Sequence, residues 1–201
     1  MDVADPRGRA LVVLAHPRPG SFNHALAAAA AGVLTARGWS AGLRDLYAEG
    51  FDPVLSAAEL DTTRTAVVSP DPLVAEHQAL LAAADILVVV HPTWGGKPPA
   101  MMSGWIDRVL APGVAYRLGA ADAAPEPLIQ LAALVVLNTS DTPAERETEV
   151  FGDPLQAIWE RCVGEYLPAR SFQRRTFGPV GTSTPEARAG WLRDLERLLP
   201  S

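Results

Sequence analysis

The sequence predicts an α/β fold in which helices cover both faces of a mainly parallel sheet. Short apolar runs alternate with segments of helical periodicity along the chain, which is the pattern of successive βαβ units. The runs at residues 10–15, 85–90 and 131–137 are almost continuously apolar, and this indicates strands buried on both faces. With 201 residues, 48% of them hydrophobic and 20% charged, the chain is expected to form one domain over residues 1–201.

Local signals support the elements in turn. Ser21 is a suitable N-cap for the first helix, which Gly38 ends, and Thr184 is a suitable N-cap for the last helix. Gly152 and Pro154 should divide a long helical segment into two pieces. The predicted strands are residues 10–15, 40–46, 85–90, 131–137 and 171–177; the predicted helices are residues 22–37, 56–61, 72–84, 99–110, 143–167 and 185–199; the segment 51–69 is a long loop around its short helix, and 113–127 is turn-rich with a short hairpin around 114–118.

The charge balance narrows the class of partner. The chain has 17 Lys and Arg residues against 23 Asp and Glu residues, a formal net charge of −6. Nucleic acid and anionic membrane surfaces are disfavoured, because both attract basic proteins. The single cysteine, Cys162, excludes an intrachain disulfide. The first residues are too polar for a signal peptide, and no apolar run is long enough to span a membrane. A cytoplasmic location is therefore expected.

The loop after the first strand is a candidate site. Ligands of open parallel sheets bind beyond the carboxyl ends of the strands. This loop, residues 16–24, places His16, Ser21 and Asn23 at the start of a helix, where free amides and the helix dipole bind phosphate well. It lacks the glycine spacing of a dinucleotide fingerprint or a P-loop. A capped turn, in which Ser21 serves only its own helix, explains the residues equally well.

The loop after the third strand, residues 91–100, contains Trp94 followed by Gly95 and Gly96. The two glycines would allow backbone to approach a flat ligand closely, and Trp94 would pack on the edge of a ring system. A proline-stiffened connection with a half-buried tryptophan is the alternative. The two loops should lie on neighbouring strand ends, which favours the ligand-binding interpretation.

Residues in and beside these loops resemble a known family. They are His16-Pro17, Ser21-Phe22-Asn23, Pro92-Thr93-Trp94, Pro99-Ala100, the run from Gly104 to Val109, Ala115-Tyr116, Gly152-Asp153 and Ile158-Trp159. Together they are similar to the flavodoxin-like NAD(P)H:quinone oxidoreductases, the family that includes DT-diaphorase and the ancillary oxidoreductases of bacterial potassium-efflux systems. The resemblance implies a flavodoxin-like three-layer sandwich with a five-stranded parallel sheet in the order 2-1-3-4-5.

The resemblance also implies an activity and a set of site residues. Members pass a hydride from NAD(P)H through FMN or FAD to a quinone or a similar small electron-poor acceptor, and they act as homodimers. FMN is expected here because the chain is short, and FAD stays open. By similarity, the flavin phosphate would be bound by His16, Ser21, Phe22 and Asn23, and the flavin ring by Pro92, Thr93, Trp94, Gly95, Gly96, Asn138, Thr139 and Ser140.

Two further residues are expected to act in catalysis. Tyr116 falls where a family tyrosine lines the substrate pocket across a dimer interface; packing inside the turn-rich segment is the alternative. Lys97, the only lysine in the chain, would stabilise an anionic reduced flavin if its charge lies near the ring. The alternative is a surface lysine that points to solvent.

Three departures from the family pattern keep other functions open. Gly95 replaces a second aromatic residue, and the third loop lacks the Thr-Thr-Gly-Gly turn of DT-diaphorase. Phe151 and Glu145 stand where a relay histidine and its tyrosine partner are expected. A regulatory or partner-binding subunit and a specialised catalyst without redox turnover are therefore the two alternatives.

The other candidate residues are given structural interpretations. The four histidines are too dispersed to predict a metal site, and His77 is expected on a surface helix. Cys162 lies in an apolar helical stretch and is expected to pack in the core. Arg174 and Arg175 fit an edge-strand charge pair better than a phosphate site for a nicotinamide cofactor. A Ser-His-Asp hydrolase is not supported, because the sequence has no Gly-x-Ser-x-Gly elbow.

Overall fold

A five-stranded parallel sheet forms the centre of the molecule. The computed structural model describes residues 7–63, 68–119 and 124–201. Its strands are β1 (Arg9–Leu14), β2 (Ser40–Asp45), β3 (Ile86–Pro92), β4 (Tyr116–Arg117), β5 (Glu126–Pro127), β6 (Leu131–Thr139) and β7 (Ala169–Phe177). The five long strands lie in the order β2-β1-β3-β6-β7 with every neighbouring pair parallel, so the predicted order 2-1-3-4-5 is confirmed.

Helices cover both faces of this sheet. They are α1 (Phe22–Ala36), α2 (Ala57–Thr63), α3 (Pro72–Ala82), α4 (Ala100–Val109), α5 (Ala144–Glu149), α6 (Pro154–Gln156), α7 (Gly164–Tyr166) and α8 (Pro185–Leu198), with a π-helical stretch (Ala157–Val163) between α6 and α7. One apolar core lies between the sheet and helices α1 and α8. A second core lies between the opposite face and α3, α4 and the segment from α6 to α7.

The position of each strand accounts for its burial. All 7 residues of β3 are buried, as its apolar run predicts for a central parallel strand. Strands β2 and β7 are at the edges and carry the polar residues. Leu14 pairs with Val90, and Val90 pairs with Leu137, so the carboxyl ends of β1, β3 and β6 lie side by side. The loops that follow these three strands therefore meet at one edge of the sheet.

Helix α4 packs against the long connection that follows β2. At Gly104, a Cβ atom would lie 2.1 Å from the carbonyl oxygen of Pro53. Real Cβ atoms do not approach an oxygen so closely, so glycine is required for the contact. This packing explains why the Gly104–Val109 run, one of the segments that resemble the family, begins with glycine.

Arg108, on the same helix, holds this connection through charge. Its guanidinium donates to the carboxylates of Glu59 and Asp71, each at 2.9 Å, and to the carbonyl of Asp52. Burial disfavours the charged form of Glu59, but hydrogen bonds from Arg108 and Ser56 outweigh it and lower the pKa of the carboxyl group to about 2. The connection is thus tied to the core by a buried ion pair.

The expected exposure of His77 is wrong, because the side chain is fully buried between α3 and α4. The Trp105 indole donates to Nδ1 at 3.0 Å, and Nε2 donates to the Glu49 carboxylate at 2.8 Å. Burial lowers the pKa of His77, although Glu49 opposes the shift. A neutral histidine with both ring nitrogens satisfied can replace an apolar residue in a core.

Four other expectations concern Cys162, the hairpin around 114–118, the long loop at 51–69 and the break near Gly152. Cys162 is exposed rather than packed in the core, because it lies on the outer side of the π-helical stretch whose Trp159 and Val163 are buried. The hairpin predicted around 114–118 spans more residues than expected, because β4 at Tyr116–Arg117 pairs with β5 at Glu126–Pro127. Residues 120–123, between the two strands, lie outside the described residues. Residues 64–67 of the predicted long loop lie outside them as well. The predicted break near Gly152 is present between α5 and α6.

Candidate functional site

The three predicted loops meet in one cleft at the carboxyl edge of the sheet. The cleft has a volume of about 670 Å³. The parallel register of β1, β3 and β6 brings the loops together, because all three strands end at this edge. The predicted residues that line the cleft are His16, Ser21, Phe22, Asn23, Pro92, Thr93, Trp94, Thr139 and Ser140.

Gly95 and Gly96, also predicted to bind the ring, are not among the residues that line the cleft. They form the turn between Trp94 and Lys97, which pair through their backbones, and have φ angles of +60° and +74°. At Gly96 a Cβ atom would lie 2.9 Å from a side-chain carbon of Pro154, so this glycine is held against the start of α6. The two glycines therefore shape the loop and allow Trp94, which is 45% exposed, to stand at the mouth of the cleft.

Lys97 and Tyr116, the two residues predicted to be catalytic, line a different and largely apolar cleft of about 480 Å³. There the Tyr116 ring packs on Tyr166, with 4.6 Å between the ring centroids. Burial raises the pKa of Tyr116, and Tyr166 adds to the shift. Cys162 lines the same cleft. Within one chain, the predicted catalytic residues and most of the predicted cofactor-binding residues are thus in separate clefts.

In the first turn of α1 the amides of Phe22 and Asn23 have no hydrogen-bond partner among the described residues, whereas the His24 amide donates to the Ser21 carbonyl at 3.0 Å. Ser21 occupies the N-cap position but makes no side-chain capping bond. Its hydroxyl instead lies 2.8 Å from Nδ1 of His24, and Nε2 of His24 is 3.1 Å from the Asp45 carboxylate. Because Asp45 accepts from Nε2, Nδ1 of His24 accepts the hydrogen bond that the Ser21 hydroxyl donates. Ser21 is therefore the N-cap residue, as predicted, but its side chain does not satisfy the amides of its own helix.

Asn23 holds the first loop against the third. Its side chain is buried, and its Nδ2 donates to the Thr139 hydroxyl at 2.8 Å. Its Oδ1 is also buried but has no hydrogen-bond partner among the described residues. A buried acceptor without a donor is costly, so an orphaned oxygen at the wall of a cleft indicates a ligand that supplies a donor.

His16 is the titratable side chain of the first loop nearest the strand end. Burial is the main cause that lowers its pKa. Its Nδ1 lies 3.1 Å from the Arg18 amide nitrogen and 3.3 Å from the Arg18 carbonyl oxygen. His16 therefore presents a neutral ring as part of the cleft wall at physiological pH.

A segment that sequence reasoning missed closes another side of the cleft. Val180, Gly181 and Arg188 line it, directly after β7 and at the start of α8. The amide of Gly181 donates to the Asp141 carboxylate at 2.6 Å, and the amide of Val180 donates to the Ser140 carbonyl at 3.0 Å. The position of this loop after the fifth parallel strand, at the same edge, was a usable signal.

Asn138 lies beneath the cleft rather than in its wall. It is fully buried, and its Nδ2 packs against the His91 ring, 3.0 Å from Nε2 and 3.3 Å from Nδ1. Nε2 of His91 accepts from the Trp159 indole at 3.0 Å. His91 Nδ1 in turn donates to the Pro92 carbonyl at 2.9 Å. Burial lowers the pKa of His91 to about 4, so the ring is neutral and its one proton is on Nδ1.

A small inner pocket of about 130 Å³ opens off the cleft at Thr93 and Thr142, which line both. Its charged residues are Glu147, Asp153 and Arg174. Sequence reasoning missed this pocket, because no local pattern pairs Arg174 with an aspartate 21 positions away. Glu145 and Phe151, which occupy the positions of the family's relay tyrosine and histidine, lie outside this pocket. Glu145 is on α5 and Phe151 follows it; Phe151 is 43% exposed and lies beneath the Arg146 guanidinium.

The described residues hold neither a metal cluster nor a membrane-spanning helix. Within residues 7–63, 68–119 and 124–201, no group of three His, Cys, Asp or Glu side chains is placed to hold a metal ion. In that part of the chain, no helix is both long enough and apolar enough to cross a membrane.

Comparisons with known proteins agree with this architecture. A family model described as flavodoxin-like fold matches residues 8–185. The uncharacterized NAD(P)H oxidoreductase YcaK of Escherichia coli (strain K12) is 31% identical over 159 residues, which cover 79% of this chain and 74% of that protein. NAD(P)H dehydrogenase (quinone) 1 of Cavia porcellus is 29% identical over 216 residues, 94% of this chain and 77% of that protein.

Solved structures show the same fold. An NAD(P)H:quinone oxidoreductase from Methanothermobacter marburgensis superposes with a TM-score of 0.75 at 25% identity, covering 94% of both chains. Smu.1420 from Streptococcus mutans UA159 superposes with a TM-score of 0.79 at 24% identity, covering 94% of this chain and 97% of that one.

Proposed function

The chain belongs to the flavodoxin-like fold family, and we propose that it is a flavin-dependent NAD(P)H oxidoreductase that holds FMN in the cleft at the carboxyl edge of its sheet. The proposed acceptor is a quinone or a similar small electron-poor molecule. The observation that carries the proposal is the convergence of nine predicted flavin-binding residues, from three loops far apart in sequence, on one cleft. We further propose a single domain, a homodimer and a cytoplasmic location.

The phosphate end of FMN fits the N-terminus of α1. The uncapped amides there and the helix dipole favour a dianionic group. Arg18 and Arg188 also line the cleft, so cationic side chains are near in a chain whose net charge is −6. The orphaned Oδ1 of Asn23 needs a donor, and the hydroxyl groups of a ribityl chain supply donors of the right kind.

The ring end fits the wall built by Pro92, Thr93 and Trp94. Thr93 donates its amide to the Thr139 carbonyl at 2.7 Å, so the second and third loops form one continuous wall. Bound FMN would supply the hydride chemistry, and the residues of this chain need to orient the ring and limit its access to water. A protein that only orients the ring needs no catalytic acid or nucleophile, and the sequence motifs contain none.

The relatives support the proposed donor and acceptor. The names of the Escherichia coli and Cavia porcellus proteins both specify NAD(P)H, and the latter also specifies quinone. FMN is proposed over FAD, because residues 7–63, 68–119 and 124–201 form one α/β unit without a second unit that would hold an adenosine half. A homodimer would allow Tyr116 and Lys97 to act on the cleft of the partner, since in their own chain they line a separate cleft.

The visible absorption spectrum of the purified protein tests the proposal. We expect a flavin absorption band, present as purified or after reconstitution with FMN, that bleaches anaerobically when NADPH or NADH is added and returns when a quinone follows. A protein that binds neither FMN nor FAD contradicts the proposal. A protein that binds flavin without bleaching supports the regulatory subunit instead.

A second candidate is a catalyst without redox turnover, and one observation favours it. Ser21, His24 and Asp45 form a hydroxyl–imidazole–carboxylate series beside the free amides of α1, which are the group types of acyl transfer. The two functions compete for the same site, because the proposed phosphate would lie against Ser21. Covalent labelling of wild type, but not of Ser21→Ala, by an alkyl fluorophosphonate in the absence of flavin would support this candidate.

A further inference from the structure

Arg174 and Arg175 are neighbours in β7 but have opposite environments. The Arg174 side chain is 9% exposed and faces the inner pocket, where it pairs with Asp153. The Arg175 side chain is 49% exposed, and its nearest carboxylate, that of Asp194, is 3.9 Å away. Adjacent residues of a strand point to opposite faces of the sheet, which accounts for the difference. One arginine is thus built into the structure and the other is a surface residue.

The Arg174 guanidinium is held by several partners. Its Nε donates to Gln156 at 2.9 Å, its Nη1 donates to Asn138 Oδ1 at 3.2 Å and to the Thr176 hydroxyl at 3.3 Å, and its Nη2 donates to the Asp153 carboxylate. An arginine has five N–H donors, and these contacts use each of its three nitrogens. Arg174 therefore has little capacity to bind a ligand directly, and any effect on a ligand must pass through its partners.

The contact with Asn138 determines how that amide is oriented. Because Arg174 is a donor, Asn138 must present its oxygen to the guanidinium and its Nδ2 to His91. Asn138 Nδ2 then packs against the His91 ring, whose Nε2 accepts from the Trp159 indole at 3.0 Å, so the ring proton is on Nδ1 and is donated to the Pro92 carbonyl. If the amide were reversed, two donors would oppose each other at the arginine. A continuous series of polar contacts thus runs from Asp153 through Arg174, Asn138 and His91 to the backbone of the cleft wall.

We propose that Arg174 is a positioning residue for the flavin ring, acting through Asn138 and His91 on the Pro92–Thr93 wall rather than by contact with the cofactor. The inference rests on the proposed function, since it assumes that the ring lies along this wall. It concerns the ring and not the phosphate, because the series of polar contacts ends at Pro92 and does not reach the N-terminus of α1.

Titration of the flavin-free full chain with FMN and, separately, with riboflavin tests the proposal. Arg174→Met should weaken both ligands by the same factor, about 10-fold, the equivalent of one lost charge-assisted hydrogen bond. Arg175→Met is the matched control and should leave both affinities unchanged. The absorption spectrum of bound FMN should shift in Arg174→Met, because the ring environment changes, and should not shift in the control.

Arg174→Lys separates positioning from simple stability. Lysine keeps a positive charge beside Asp153 but lacks the planar fork that reaches Asn138 at the same time. We expect Arg174→Lys to recover the melting temperature of the wild type and not the ring affinity. Recovery of both, or an Arg174→Met variant that binds riboflavin like wild type, would overturn the proposal. Failure of the wild type to bind either flavin would instead overturn the proposed function.

Discussion

Acid should destabilise this protein in part through one buried carboxyl group, that of Glu59. The residue is 3% exposed and pairs with Arg108, and its pKa is lowered from 4.5 to about 2. A drop of that size corresponds to about 3 kcal/mol of folding free energy, at about 1.4 kcal/mol for each tenfold change. Because the folded state has the lower pKa, this stabilisation is complete above 4.5 and is lost as the pH falls toward about 2.

Urea unfolding of the wild type and of Glu59→Gln, from neutral pH to about pH 2, measures this contribution. The difference in unfolding free energy between the two proteins should be largest near neutral pH and should shrink in acid. Glu76→Gln is the matched control: Glu76 also pairs with an arginine, Arg44, but its side chain is 54% exposed, so solvent screens the pair. The control should differ little from the wild type at any pH.

Two results would contradict the proposed stabilisation by the Glu59 carboxylate. A difference between wild type and Glu59→Gln that stays constant across the pH range would show that the ionised carboxylate is not the stabilising species. An equally large, pH-dependent loss in Glu76→Gln would show that burial of the pair is irrelevant.

Three more predictions follow from single side chains. Gly104→Ala should lower the unfolding free energy by about 1–3 kcal/mol, because its Cβ would overlap Pro53. Gly32→Ala should raise the unfolding free energy by about 0.5–1 kcal/mol, because no atom lies within 4 Å of its Cβ position. Thermal unfolding measures both changes. Ser21→Ala should weaken FMN by about 3- to 10-fold and leave riboflavin unaffected, and an equal loss for both ligands in binding titrations would exclude a phosphate contact. Lys97→Met should lower the flavin midpoint potential, because in the proposed homodimer the Lys97 charge stabilises the reduced flavin held by the partner; an unchanged potential would show that the lysine acts only within its own chain, where it lines the largely apolar cleft.

Much of the candidate site could be predicted from sequence, because the residues are local to strand ends. His16 and Ser21 follow one buried strand, and Pro92 and Thr93 end another, so the α/β pattern alone places them at the same edge. Lys97 shows the limit of this reasoning. It is only three residues from Trp94, but the glycine turn between them reverses the chain and directs the two side chains into different clefts.

The burial of His77 and that of Arg174 have a common physical cause. His77 and Arg174 are polar, and composition alone favours the surface for such residues. Each is buried because another side chain, distant in sequence, satisfies it: Glu49 and Trp105 for the histidine, and Asp153 for the arginine. Pairs of this kind leave no periodic signal in the sequence.

The class of fold and the loops that form the candidate site could be derived from the amino-acid sequence, because apolar periodicity and the ends of strands are local properties of the chain, whereas the strand order was implied by the family resemblance. Only the tertiary structure decided which polar side chains are buried and which residues share a cleft. Those outcomes depend on partners that lie tens of residues apart, such as Asn23 with Thr139 and Asn138 with Arg174. Hydrogen bonds and ion pairs of this length are selected by packing, and packing exists only once the sheet and its helices have assembled.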